Sequence, residues 1–169
     1  MNTPSDRVRA LLIPACGLAV AGLLAASEAL LGLGWPGSGP VPPLLAAALG
    51  LPAGMIAAEA LADLRSYGPG RKGFFLLLGM LLALAGSLAP WPLAAPPSVH
   101  GAVAGLAVMH ELIDYRPTSS LRLLLVTASL LVAAWHELLA TPAPASLLVG
   151  LCLGISSWCL ARIAAGGMR

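Results

Sequence analysis

The chain has 169 residues, of which 59% are hydrophobic and only 9% charged, and its mean hydropathy is +0.91. A soluble domain is about 45–50% apolar and about 25% charged, so these few charges cannot clothe a water-soluble surface, and a disordered chain is excluded with it. Nine Lys and Arg with a net charge of +2 exclude a nucleic-acid binder, and three cysteines set in apolar runs exclude a disulfide scaffold. What remains is an all-α polytopic membrane protein, folded as one bundle over residues 1–169.

A membrane-crossing helix needs about 20 mainly apolar residues. Six runs meet that need, at 10–33, 43–63, 73–91, 98–115, 121–140 and 146–165. None alternates with a two-residue period, which argues against a β-barrel. The first run follows Asp6-Arg7-Val8-Arg9. It is too long for a signal-peptide core and no convincing cleavage site follows, so it reads as a retained first helix. The second contains Gly50-Leu51-Pro52-Ala53-Gly54. Proline removes a backbone donor and crowds the preceding turn, so a helix break is predicted at Pro52, of the kind that marks transporter sites. The alternative is a simple packing kink.

The connections between runs alternate in character. Trp35 to Pro40, Pro90 to Pro97 and Thr141 to Pro144 are proline-rich and carry no Lys or Arg. All nine basic residues fall on the other side: Arg7, Arg9, Arg65, Arg71, Lys72, Arg116, Arg122, Arg162 and Arg169. The positive-inside rule then puts both termini in the cytoplasm of a bacterial cell with this chain in its inner membrane. Trp35, Trp91 and Trp135 fall at the opposite, periplasmic interface, as an aromatic belt requires.

This cycle of basic connection, apolar run, Trp/Pro connection and apolar run occurs three times. The returning runs carry Gly50-x-x-x-Gly54, Gly101-x-x-x-Gly105 and Gly150-x-x-x-Gly154. Asp63 and Arg65 follow Gly50 at the offsets at which Asp114 and Arg116 follow Gly101. The predicted architecture is therefore six transmembrane helices arranged as three pseudo-repeated hairpins. The alternative for the glycines alone is close helix packing without a repeat.

Charged groups inside the spans are the candidates for function. Glu28, Glu59, Glu111 and Glu137 each lie about one turn before the end of a span. There a carboxylate opposes the helix dipole and also lies in or near hydrocarbon. One predicted cluster, cytoplasmic, is Glu59, Asp63, His110, Glu111 and Asp114, with Arg65, Arg116 and Arg122 nearby. These are coupling or gating groups on one reading and an interfacial salt-bridge network on the other. The second, periplasmic cluster is Glu28, His100, His136 and Glu137, with no Lys or Arg to neutralise it. It reads as a binding site for a cation or small cationic solute. A divalent metal or a haem between His100 and His136 is the alternative, although no cofactor is expected. Cys16, Cys152 and Cys159 read as apolar fillers.

No HExxH, CxxC, GxSxG or Walker loop is present, and no catalytic residue is assigned. In size, span number and cytoplasmic termini the chain is similar in outline to substrate-binding subunits of energy-coupling-factor importers and to rod-shape membrane proteins. The stretch Gly54 to Leu64 resembles the Gly-x-x-x-Asp-Leu helix of the latter, over one helix of six. Asp63-Leu64-Arg65 is also similar to the Asp-Leu-Arg of prepilin peptidases. Their GxGD partner is missing, so that activity is not implied. The leading expectation is a small multi-pass transporter, or the membrane subunit of one, for a cation or small solute. Its partners would be the lipid bilayer and either further copies of itself or other membrane subunits. The alternatives are a non-catalytic scaffold subunit of a larger membrane complex and an intramembrane enzyme or redox subunit using His and Glu on a metal, quinone or lipid.

Overall fold

A computed structural model of the chain describes residues 4–31, 42–67, 71–92, 96–113, 119–140 and 144–166. Among them are six α-helices and no strand: α1 (Pro4–Leu31), α2 (Pro43–Tyr67), α3 (Arg71–Leu88), α4 (Val99–Ile113), α5 (Ser119–Ala140) and α6 (Pro144–Gly166). Each apolar run of the sequence became one helix. The runs are rich in Leu and Ala, which lose little on entering a helix, and prolines punctuate them. Pro4, Pro43 and Pro144 each occupy the first helical position, where a missing N–H costs nothing. Ser98 caps α4, accepting from Gly101 N at its Oγ (3.4 Å) and from Ala102 N at its carbonyl (3.0 Å). Trp91 Nε1 donates to the Gly86 carbonyl (2.6 Å) and closes the end of α3.

Two helices contain stretches long and apolar enough to cross a membrane, Pro43–Asp63 in α2 and Ala145–Ala164 in α6. These support membrane association. Among the described residues, the other four helices offer the shorter apolar stretches Leu11–Ser27, Gly73–Leu88, Val99–Ile113 and Ser120–His136.

The helix break expected at Pro52 does not occur: α2 is continuous through it, and Pro52 is fully buried. Proline's φ is already close to helical, so its cost is one lost hydrogen bond and crowding at the carbonyl four residues back. Gly50 and Gly54, on either side, pack directly on Ala21, Gly17 and Val20 of α1 and hold the helix in line.

The packing also departs from three hairpins. The first, α1 against α2, forms extensively. In the second, α3 and α4 meet, but α4 packs far more fully on α6. The third is nearly absent, since α5 barely touches α6 and packs on α2 and α4 instead. The reason lies in the glycines. Gly101 and Gly105 of α4 interleave with Gly150 and Gly154 of α6, so that a Cβ on Gly101 would meet the Leu147 carbonyl at 2.6 Å and one on Gly105 the Leu151 carbonyl at 2.6 Å. The small-residue pairs of α4 and α6 thus pack on each other, whereas that of α2 packs on its sequence neighbour α1.

The result is a bundle centred on α4, whose residues from Gly101 to Ala107 are all buried, with α2, α3, α5 and α6 around it and α1 outside, resting on α2. Met55, Ile56, Leu76, Leu106, Val126 and Trp158 form the middle of the apolar core. The outer faces carry Leu11, Leu23, Leu30, Leu124, Leu131 and Ile163, each more than 60% exposed. Ser87 and Ser129 turn their hydroxyls back onto the carbonyls of Ala83 (2.6 Å) and Leu125 (2.9 Å), which keeps those polar atoms satisfied in apolar surroundings.

Candidate functional site

Four charged or titratable side chains meet inside one end of the bundle. Glu59 comes from α2, His110 and Glu111 from the last turn of α4, and Arg122 from the first turn of α5. All four are buried, at 6%, 1%, 4% and 4% exposure. Arg122 Nη2 donates both to Glu59 Oε2 and to Glu111 Oε1. Glu59 Oε2 also pairs with His110 Nε2 at 3.0 Å. One carboxylate oxygen therefore serves two donors from two different helices, and one guanidinium nitrogen serves two acids.

Local helix electrostatics explain why these residues must find each other. A carboxylate near a helix C-terminus and a cation in a first turn both oppose the helix dipole. Glu111 and Arg122 are each misplaced by that rule, and each supplies the charge that the other's helix end needs. Burial raises the stakes. An isolated charge in low dielectric costs several kcal/mol, and pairing offsets that only when geometry and hydrogen bonds are good.

Aromatic residues close the site. The Phe75 ring from α3 meets the His110 imidazole at 6.4 Å between centroids with 65° between planes. Phe75 in turn meets Trp158 of α6 at 6.2 Å and 87°. The Arg162 guanidinium lies over Trp158, 4.9 Å from the ring centroid, and is itself exposed. Among the described residues, α2 and α5 thus contribute one charged group each, α4 contributes two, α3 the Phe75 wall and α6 the Trp158 behind it.

Glu59, His110 and Glu111 each offer a metal-ligand atom within 4.8 Å of the others. The donor set nevertheless does not fit a divalent metal, because the Arg122 guanidinium already holds both carboxylates, and a metal ion would sit against that like charge.

The other expected residues distribute differently. Asp63 is not in the cluster: its Oδ2 accepts from Gly73 N at 2.8 Å and caps the start of α3. Asp114 lies outside the described residues, as do the side chains of Glu28 and Glu137. At the far end of the bundle, His100 Nε2 is 3.1 Å from the Leu45 carbonyl, a pairing that ties α4 to α2 and engages that ring nitrogen. His136 lines a cavity of about 270 Å3 with Pro42, Leu44, Leu45, Leu131, Val132 and Trp135. That cavity is almost wholly apolar, which suits neither a hydrated cation nor a metal. Arg122 is the site residue that sequence reasoning set aside as a mere neighbour. Its position in a first turn, against the dipole, was the available signal.

Comparison with protein-family models, curated proteins and solved structures finds no match to this chain.

Proposed function

We propose that this is a six-span inner-membrane protein that works as a small cation or solute transporter, or as the membrane subunit of one, with Glu59, His110, Glu111 and Arg122 as its coupling site. The observation that carries the reading is the burial of these four groups between three helices of an otherwise apolar bundle. Ionisable residues at membrane depth are costly and mark ion pathways and proton relays. The rows of exposed leucine on the outer faces suit hydrocarbon and not water. Helix α3 (Arg71–Leu88), with 18 residues, lies at the short end of what crosses a bilayer, and such a span is accommodated by local thinning. The segregation of all nine basic residues supports a cytoplasmic position for the charge cluster.

The topology makes its own prediction. In a cysteine-free background, single cysteines at Ser66 and Ser119 should react with an impermeant maleimide only after the membrane is opened. Cysteines at Ser38 and Thr141 should react in intact cells. Labelling of all four from one side overturns the six-span arrangement.

Function is tested in sealed vesicles loaded with pyranine. With a potassium–valinomycin potential imposed, the purified protein should carry proton flux, or sodium flux in a sodium-reporting version, at least ten-fold above empty vesicles. Glu59→Gln should reduce that flux at least ten-fold. Wild-type vesicles indistinguishable from empty ones for both ions would remove the stand-alone transporter. Purification in a mild detergent then decides for the subunit version, which requires a stoichiometric membrane partner.

A further inference from the structure

From the apolar cavity at the end of the bundle remote from Arg122, and resting on the membrane reading above but not on transport, we propose that α2 and α5 hold one acyl chain of a net-neutral phospholipid between them. The two helices are joined at one end by the Glu59–Arg122 ion pair. At the other end the cavity of about 270 Å3 lies between them. A lipid chain there fills the space that no side chain fills, and restores the dispersion contacts that a void forfeits.

The lining, the direction and the mouth of the cavity select this occupant. Leu44, Leu45, Leu131, Val132 and Trp135 offer an apolar wall, which suits a hydrocarbon guest and no polar solute. The volume is nearly twice the roughly 150 Å3 of an apolar cavity that takes up benzene, so one small ring leaves it part-filled. On α5 the lining falls at 131, 132, 135 and 136, which follows the helix for about 7.5 Å. Acyl chains and membrane-crossing helices share that direction. Leu44, Leu131 and Trp135 are 67%, 64% and 67% exposed, so in a bilayer the mouth opens sideways into hydrocarbon and a chain enters without crossing water. The inner wall is fixed. Leu45 is 8% exposed, and its carbonyl engages His100 Nε2 of α4 at 3.1 Å.

Charge selects the headgroup. Trp135 sits where an aromatic belt meets the headgroups. The proline-rich connections at this end carry no Lys or Arg, and Glu137 follows His136 directly in the sequence. An anionic headgroup has no cation to meet there. Phosphatidylethanolamine, which is net neutral and carries an ammonium, meets no such penalty. The spacing of α2 and α5 is thereby set by an ion pair at one end and by a lipid chain at the other.

The test uses the full chain in vesicles of phosphatidylethanolamine with a minority of phosphatidylglycerol. A trace of phosphatidylethanolamine carries a diazirine in the headgroup-proximal half of one chain, and adducts are mapped by mass spectrometry after irradiation. Adducts at Leu44, Leu45 and Val132 should exceed at least five-fold those at Leu30, Leu88 and Leu148, exposed leucines at the same end of the bundle. Val132→Phe fills the cavity and should cut the adducts at Leu45 at least five-fold while leaving those at Leu148 unchanged. Leu44→Trp, an exposed position that does not disturb the core, should do the same by blocking the mouth. Equal labelling of the cavity and of the three control leucines overturns the proposal, as does cavity labelling that neither variant reduces. A phosphatidylglycerol probe that labels the cavity as strongly overturns the selection of a neutral headgroup. If the cavity labels as expected but cysteines at Ser38 and Thr141 stay unreactive in intact cells, the lipid site stands and the six-span topology falls. If the topology is as expected but labelling is uniform, the lipid site falls and the topology stands.

Discussion

Substituting alanine for Gly154 is expected to destabilise the protein more than any other single methyl addition, by about 3 kcal/mol or more. The new Cβ would be driven into the backbone carbonyl of Ala102, with the Leu106 amide nitrogen at 2.8 Å, and backbone cannot step aside as a flexible side chain can. Overpacking a close-packed interior costs about 1–3 kcal/mol and sometimes more. Here relief requires α4 and α6 to separate along their length, which also loosens Gly101, Gly105 and Gly150. Denaturation in mixed detergent micelles, followed by tryptophan fluorescence, reads the effect. Gly22→Ala is the matched control: nothing lies within 4 Å of a Cβ there, the position is exposed, and alanine is the better helix former. That variant should be neutral or slightly more stable. Equal midpoints for the two variants would show that the α4–α6 contact does not hold the bundle together.

The second large effect is expected at Arg122. Removing the guanidinium in Arg122→Gln leaves Glu59 and Glu111 buried near each other without the cation that bridges them. Taking away one partner of a buried ion pair costs about 3–5 kcal/mol. The loss should be smaller at acid pH, where carboxylates can take up protons, than at alkaline pH, where both acids remain ionised. Restoring neutrality distinguishes charge from shape. The double variant Arg122→Gln with Glu111→Gln should recover at least half of the lost stability, because it leaves one acid beside His110. A double variant as unstable as the single one would assign the effect to packing alone. Arg122→Lys should recover less, since one ammonium on a flexible stem does not reproduce a guanidinium that bridges two acids.

Much of the fold was legible in the residues. Long runs of Leu and Ala between proline-rich or basic connections locate all six helices, because helix formation and its interruption are local events. Partner choice was not legible. Gly150 and Gly154 advertise a close contact but not with whom, and the choice of α4 over α5 depends on faces that come together only in three dimensions. The repeated Asp-x-Arg offset was equally local and equally silent, since Asp63 ends as a cap for α3. At the site, Glu59, His110 and Glu111 stood out because each is a polar group in an apolar run. His100 stood out for the same reason, yet its ring nitrogen meets a backbone carbonyl of α2, a partner that no side-chain pattern encodes. Phe75 and Trp158 gave no signal, because an aromatic residue in an apolar helix looks the same whether it faces lipid, core or a charge.

The central place of α4 carries a consequence for how the chain is made. Its main cover, α6, is synthesised after every element that it covers. Until then the Gly101–Gly105 face of α4 is bare, and the Arg122 guanidinium that pairs with Glu111 arrives with the first turn of α5. The α1–α2 pair, by contrast, has its full mutual contact as soon as both helices exist. Assembly along the chain is therefore staged: an early α1–α2 hairpin, then a four-helix unit whose innermost member gains its main cover only when its last neighbour is made.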